Sequence, residues 1–382
     1  MKSLRLTAVA ATLALAALTG VGPANADTPT AAGLLQAGAR QGVADGYPGV
    51  IGLVRQGDTT QYVHAGVGDR NSQAPADPKA QFRIGSNSKA LTAAILLQLE
   101  SEQRLSLDDT VATWLPGAVN ANGYDGTKIT IRELLNHTSG LPDYAKDYGF
   151  SLSYALDTQP YQAWSPQTLV NLALTQHQPT SAPGRQWSYA NTNYVLAGMV
   201  IKAVTGNDAA TEIQHRIIEP LGLHDTTFPT ADPTLHGNYL HGYEYPGGFS
   251  FAIMDVTVSD VQAYGSAGAI VSTLDDLATF SRALLAGKLL PPAQEAELKT
   301  TVPTGEGTSG YGLGIDHMQL PCGQWAWTHD GAVLGYYSDW FGSDDGTKQV
   351  VRANNEYHML TPTRGLTDTV GATVNAYCAL QP

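Results

Sequence analysis

The chain has 382 residues, 43% of them hydrophobic, with 34 acidic against 21 basic side chains and a formal net charge of −13. That is enough for a sizeable core in one large domain or two, and it argues against a disordered chain. It also argues against nucleic acid and anionic membrane surfaces as partners, since both need clustered Lys and Arg.

Lys2 and Arg5, the uncharged apolar stretch from Leu6 to Leu18 and the small-x-small triplet Ala24-Asn25-Ala26 form the pattern of a secretory leader over residues 1–26. The apolar stretch is shorter than the about 20 residues that cross a bilayer, and no second run of that length follows. The expectation is an exported, soluble protein. Without Lys2 and Arg5 its net charge becomes −15.

Val50 to Arg55 and Gln61 to Gly66 read as two strands of a hairpin around Gln56-Gly57-Asp58-Thr59. The period then changes. Lys89 to Glu100 is helical and apolar nearly all round, which predicts a buried helix. From about 105 to 265, short helical patterns (131–135, 166–175, 194–204) alternate with connections rich in Pro and Gly. Leu274 to Leu285 is amphipathic, with Ser272 or Thr273 as cap and Asp275 and Asp276 in its first turn. Strands return at 325–329, 336–342 and 349–353, and a closing helix is expected from about Thr363 to Ala379. The pattern predicts an α/β (α+β) fold. An antiparallel sheet is built from both chain ends and flanked by helices, with residues 27–104 and 266–382 forming the sheet part and 105–265 an inserted, mostly helical subdomain.

Cys322 and Cys378 are the chain's two cysteines, and an even pair in an oxidising compartment predicts a disulfide. Closing that loop is worth roughly 4 kcal/mol on the loop-entropy model. The histidines are scattered, with no His-x-x-x-His pair on a helix and no Cys-x-x-Cys, so no metal site is predicted.

Chemistry concentrates in three short segments. Ser86-x-x-Lys89 lies where the buried helix begins, and its spacing puts the lysine nitrogen within reach of the serine oxygen. A half-buried lysine near a helix N-terminus has a lowered pKa, which suits it to activate a serine. Alone the pair is weak evidence, since it arises about once by chance in a chain this long. Tyr189-x-Asn191 supplies a phenol that can exchange a proton and an amide that can hold a carbonyl. His329-x-Gly331 falls on a predicted strand, where a glycine permits close backbone approach and strand N–H groups can face an oxyanion. Taken singly, Tyr189 also reads as a core aromatic and His329 as a satisfied strand histidine.

In this order the three segments resemble the signature elements of the serine penicillin-recognising enzymes: class C β-lactamases, DD-peptidases and related D-aminopeptidases and esterases. His137-Thr138-Ser139-Gly140-Leu141, Ser266-Ala267-Gly268, Tyr311-Gly312-Leu313-Gly314 and the cysteine pair extend the likeness to the exported D-alanyl-D-alanine carboxypeptidases over essentially the whole mature chain. The resemblance implies that Ser86 is the acylated nucleophile, Lys89 its proton partner and Tyr189 the general acid/base that takes the serine proton and passes it to the leaving group. It implies that Asn191 and His329 position substrate, that the N–H groups of Ser86 and Ala332 form the oxyanion hole, and that no metal or organic cofactor takes part. A small substrate containing a D-amino acid and a covalent β-lactam adduct on Ser86 are the implied partners.

The chain departs from that pattern at the leaving-group side. Where the resembled carboxypeptidases hold the substrate carboxylate with an arginine and hydroxyls, this sequence has Asp316, Asp330 and Ala332. Two like charges 4 to 6 Å apart at an effective dielectric of 20 repel by roughly 3 to 4 kcal/mol, or some hundredfold in binding. The expectation is therefore a D-stereospecific amidohydrolase or peptidase acting on amides, esters or peptides, with possible transfer to amines. The alternative is a DD-carboxypeptidase/transpeptidase of cell-wall peptides. A β-lactamase and a non-catalytic penicillin-binding sensor fit less well. Acyl-side walls are expected near Tyr148 or Phe150 and Ala263 or Tyr264.

Overall fold

The expected hairpin forms as β1 (Gly49–Gln56) and β2 (Thr59–Gly66), closed by Gly57 at φ +58°. The computed structural model describes residues 29–245, 253–358 and 363–380, so the leader expected over 1–26 lies outside them. The remaining strands of the main sheet are β3 (Val302–Pro303), β4 (Gly310–Tyr311), β5 (Asp316–Gln319), β6 (Trp325–Val333), β7 (Tyr336–Gly342) and β8 (Lys348–Asn354). All eight pair antiparallel in the order β2-β1-β8-β7-β6-β5-β4-β3. Val50 lies opposite Asn354 and Gln56 opposite Lys348, so the first and last strands of the chain pair inside the sheet, one strand in from its β2 edge.

Alternation along these strands feeds two cores. Leu53, Trp340 and Val351 face a large cluster that includes α2 (Ser88–Ser101) and the inner stripe of α4 (Leu274–Leu285). Their neighbours Val54, Phe341 and Val350 face a smaller cluster under α1 (Ala31–Ala44) and α5 (Arg364–Cys378). In α2 nearly every side chain is buried, as its all-round apolar pattern predicts. Between sheet segments run further helices, among them Ile131–Leu135, Tyr148–Ala155, Pro166–Thr175 and α3 (Asn191–Thr205); α3 packs on α2, and Ile131–Leu135 and Pro166–Thr175 pack on α3.

Helix α1 is not marked in the sequence. Its Gly38 and Gly42 lower helix propensity, yet they let it lie against α5 so closely that a Cβ at Gly38 would stand 2.0 Å from the Ala372 Cβ. The short strands β3 to β5 carry no alternation long enough to read, and β6 runs four residues past His329 because β7 pairs with it as far as Val333. The disulfide joins Cys322, in the turn between β5 and β6, to Cys378 at the end of α5. No helix among the described residues is long and apolar enough to cross a membrane.

Candidate active site

The turn that carries Ser86 is pressed into the sheet. Gly85 takes φ +52°, and a Cβ there would sit 2.8 Å from the Ala332 nitrogen. A Cβ on Gly331 would fall 1.8 Å from the Ile84 carbonyl oxygen, so both glycines are required by close approach. Asn87 Nδ2 donates to the Ile84 carbonyl at 3.0 Å and to Ser338 Oγ on β7 at 2.9 Å, tying turn to sheet. Ser86 itself lies in a 3-10 turn, Gly85–Asn87, one residue ahead of α2, and is partly exposed. β5 pairs with β6 only over Trp325–Thr328, so among the described residues no strand covers that edge of β6 from His329 onward.

Lys89 is fully buried, more deeply than the half-buried position expected. Its Nζ donates to Ser86 Oγ at 3.0 Å, Asn191 Oδ1 at 2.8 Å and the Ala267 carbonyl at 2.8 Å. Burial lowers its pKa to about 7, against the opposing pull of the Asp143 and Asp330 carboxylates. Tyr189 OH donates to the same Ser86 Oγ at 2.7 Å. Burial holds this phenol well above its ordinary pKa, opposed by the Ser86 hydrogen bond and reinforced by the charges of Asp330 and Asp143. The serine oxygen is thus held between an amine that titrates near neutrality and a phenol that stays protonated.

His329 is buried and neutral. Burial and the Lys89 charge push its pKa down to about 3. Tyr311 OH meets Nε2 at 3.1 Å and the Asp330 carbonyl meets Nδ1 at 2.6 Å, a pairing satisfied by the tautomer protonated at Nδ1. Asn191 opens α3, and its amide spans Lys89 and Asp143. Asp330 and Asp316 make no hydrogen bond to Ser86, Lys89 or Tyr189 among the described contacts. Asp330 lies on the face of β6 opposite His329 and Gly331, and Asp316, paired with Thr328, shares that face. Their influence on the site is through charge: Asp330 acts on Lys89 and Tyr189, and Asp316 on the Tyr194 and Tyr311 phenols. The Asp330 side chain is open to solvent on that face while protein surrounds it on other sides, and burial, reinforced by the charge of Asp339, lifts its pKa to about 6. The acidic leaving-group pocket expected from the sequence is therefore not formed by these two side chains.

Two groups at the site escaped the sequence reading. His137, at φ +62°, lays its ring 4.4 Å from that of Tyr189, and its Nδ1 accepts from Asn193 Nδ2 at 3.0 Å. Asp143 lies behind Asn191. The His137-to-Leu141 motif pointed to this loop but not to these contacts, which come from partners about fifty residues away. Of the residues expected on the acyl side, Phe150 is buried against Tyr154 and Trp164, whereas Tyr148 is 70% exposed. Tyr264 meets Tyr154, and the Ala263 carbonyl accepts from Tyr144 OH at 2.6 Å. Among the described residues no cluster of three His, Cys, Asp or Glu could hold a metal ion.

A family model described as Beta-lactamase matches residues 32–353. A penicillin-binding protein of Bacillus subtilis (strain 168) is 27% identical over 318 residues, 80% of this chain and 67% of that protein. Among solved structures, a D-stereospecific amidohydrolase from Streptomyces sp. has a TM-score of 0.83 at 36% identity, covering 90% of this chain and 98% of that one. The D-amino acid amidase of Ochrobactrum anthropi SV3 shares the fold, with a TM-score of 0.76 at 24% identity over 90% and 97% of the two chains. With its family match spanning most of the sheet and all three signature segments, this chain belongs to the beta-lactamase family of serine hydrolases and penicillin-binding proteins.

Proposed function

We propose that this protein is an exported D-stereospecific amidohydrolase that forms an acyl-enzyme on Ser86 and acts on amides, esters or peptides of D-amino acids. The observation that carries the reading is the shared serine oxygen, hydrogen-bonded at once to Lys89 Nζ and Tyr189 OH. Neutral Lys89 accepts the hydroxyl proton as Ser86 Oγ attacks the substrate carbonyl carbon. The bond to the leaving group breaks, and Tyr189 OH gives that group its proton and regains one from the Lys89 ammonium. Water then attacks the acyl carbon, its proton passing to Lys89; the bond from the acyl carbon to Oγ breaks, Tyr189 OH returns a proton to Ser86 Oγ and regains one from the Lys89 ammonium, which restores the starting state. In this reading Lys89, not Tyr189, takes the serine proton, because the phenol is held protonated while the amine titrates near neutrality. The N–H groups of Ser86 and Ala332, brought together by the Gly85 contact, face the developing oxyanion.

The D-amino-acid substrate class is supported by the Streptomyces relative named D-stereospecific amidohydrolase. A neutral His329 offers no cation to a terminal carboxylate, and the charges of Asp316 and Asp330 on the other face of the strand add to the disfavour, which supports amides and esters. The penicillin-binding relative supports a second reading, a DD-carboxypeptidase with β-lactams as covalent inhibitors. Export is supported by the leader pattern of residues 1–26 and by the disulfide.

The test is turnover of D-phenylalanine amide, its methyl ester, an acyl-D-Ala-D-Ala peptide and a penicillin, with intact mass followed throughout. The expected result is D-selective turnover of amide and ester, slow turnover of the free-carboxylate peptide, and loss of all turnover in Ser86→Ala. Faster turnover of the peptide favours the second reading, and activity surviving in Ser86→Ala overturns both.

A further inference from the structure

Asp143 is buried at the start of the turn Tyr144–Lys146, and it has no hydrogen bond to Ser86, Lys89 or Tyr189 among the described contacts. Its carboxylate accepts from Ala145 N at 3.1 Å, from Asn191 N at 3.2 Å and from Asn191 Nδ2 at 3.3 Å on each oxygen. A residue so placed could simply cap the 144–146 turn. The Asn191 contacts say more. An amide has a donor end and an acceptor end, and here the donor end faces a carboxylate while the acceptor end faces Lys89 Nζ at 2.8 Å. Turning the amide over would set NH₂ against the lysine N–H groups and oxygen against the carboxylate, two repulsions in place of two hydrogen bonds.

We infer that Asp143 is a positioning residue for proton transfer at Ser86, its buried carboxylate locking the Asn191 amide so that Oδ1 faces Lys89 Nζ. The inference rests on the reading of Lys89 as the proton acceptor. Three acceptors, Ser86 Oγ, Asn191 Oδ1 and the Ala267 carbonyl, match the three N–H bonds of the ammonium, so the lysine is held along one line with the serine. From the elements packed around it, Lys89 also faces the Tyr189 ring at 4.8 Å, the Tyr194 ring at 5.5 Å, neutral His329 and the charges of Asp143 and Asp330. The two carboxylates oppose the burial that strips the lysine of its proton, so Asp143 both orients Asn191 and restrains the fall in lysine basicity.

The experiment reads the nucleophile without relying on the natural substrate. The full-length protein is treated with an alkyl fluorophosphonate across pH 5 to 9, and Ser86 modification is followed by intact mass. Wild type is expected to react with a rate that rises through a midpoint near pH 7, following neutral Lys89. Asp143→Asn removes the charge that favours the ammonium, so its midpoint moves to lower pH by about half to one and a half units, and its plateau rate drops at least about tenfold. The exchanged pair Asp143→Asn with Asn191→Asp restores an acceptor facing Lys89 and brings a negative charge closer, so its midpoint moves above that of wild type. A lower rate with an unchanged midpoint in Asp143→Asn makes the residue a structural cap and overturns the inference. If that variant does not fold, an unmoved midpoint in the exchanged pair overturns it instead. Failure of wild type to react at Ser86 rejects the proposed mechanism itself, a different result from either of these.

Discussion

Lys89, which titrates near pH 7, meets Ser86, and the acids on the far face of β5 and β6 act on the site through their charge. Asp330, its pKa raised to about 6, and Asp316 one strand over lie on the face of the sheet away from the Ser86 turn and reach the site through charge alone. A carboxylate-ended substrate at the open edge of β6 is opposed by that charge through the strand, whereas a neutral amide or ester is not. The double variant Asp316→Arg with Asp330→Thr is expected to raise the ratio of kcat/KM for an acyl-D-Ala-D-Ala peptide over that for D-phenylalanine amide by about tenfold. In wild type the same ratio is expected to rise as pH falls through 6, because Asp330 then becomes neutral. Protonation of Lys89 slows both substrates and cancels from the ratio. A ratio flat with pH and unmoved by the double variant would place both acids outside the substrate's reach.

Ser86 is held in place by two backbone segments in contact, the turn 84–87 and strand β6. The Cβ of Gly331→Ala would land 1.8 Å from a backbone oxygen that no rotamer can move aside. The turn must retreat from the strand, separating the N–H groups of Ser86 and Ala332. Misplacement on this scale is expected to lower kcat about a hundredfold, with a stability loss of about 1 to 3 kcal/mol from overpacking. Steady-state kinetics and thermal melting check this, and a variant with wild-type kcat would remove the close approach from the mechanism. At this scale much was legible in the sequence. Helices 131–135, 166–175 and 274–285 fall where periodicity put them, since each carries a cap or a proline at its start and an apolar stripe. Helix α1 was not legible, because its two buried glycines are chosen for contact with α5 and weaken the local signal. Nor was Asp143, whose partner Asn191 lies 48 positions away and whose own segment reads as a simple turn. Tyr189 and His329, each ambiguous alone, became readable as a set, and their hydrogen bonds to Ser86 and Tyr311 are contacts that only the fold creates.

Across the whole molecule the acids outnumber the bases, and several of them are buried beyond their comfort. Asp157, Asp260 and Asp330 are each pushed to about 6 by burial. In the unfolded chain they release their protons near 3.8, so between about pH 4 and 6 the folded state holds protons that the unfolded state has lost. That contribution to stability is fully present below the unfolded value near 3.8 and is lost as pH rises from there through 6. His329, depressed to about 3, acts in the opposite direction below 6.5, and Lys89, lowered to about 7, acts in the same sense as His329 from about pH 7 upward, two groups against three. The melting temperature of wild type relative to that of the double variant Asp157→Asn with Asp260→Asn is therefore expected to be higher at pH 5.5 than at pH 7.5, a comparison in which His329 and Lys89 cancel. A difference between the two proteins that does not change with pH would show that these carboxyls are better solvated than their surroundings suggest.

The register of β1 against β8, Val50 opposite Asn354, has a consequence in time as well as in space. A chain that emerges N-terminus first, from a ribosome or through a narrow pore, displays β1 and β2 long before their partner strand exists. The hairpin is too small to hold itself together, and its partner strand is among the last to arrive. Contacts separated by most of the chain are slow to form, so the sheet closes in a late step. Ser86 cannot meet the Ala332 amide before that step, which makes the nucleophile inert until the whole sheet is complete.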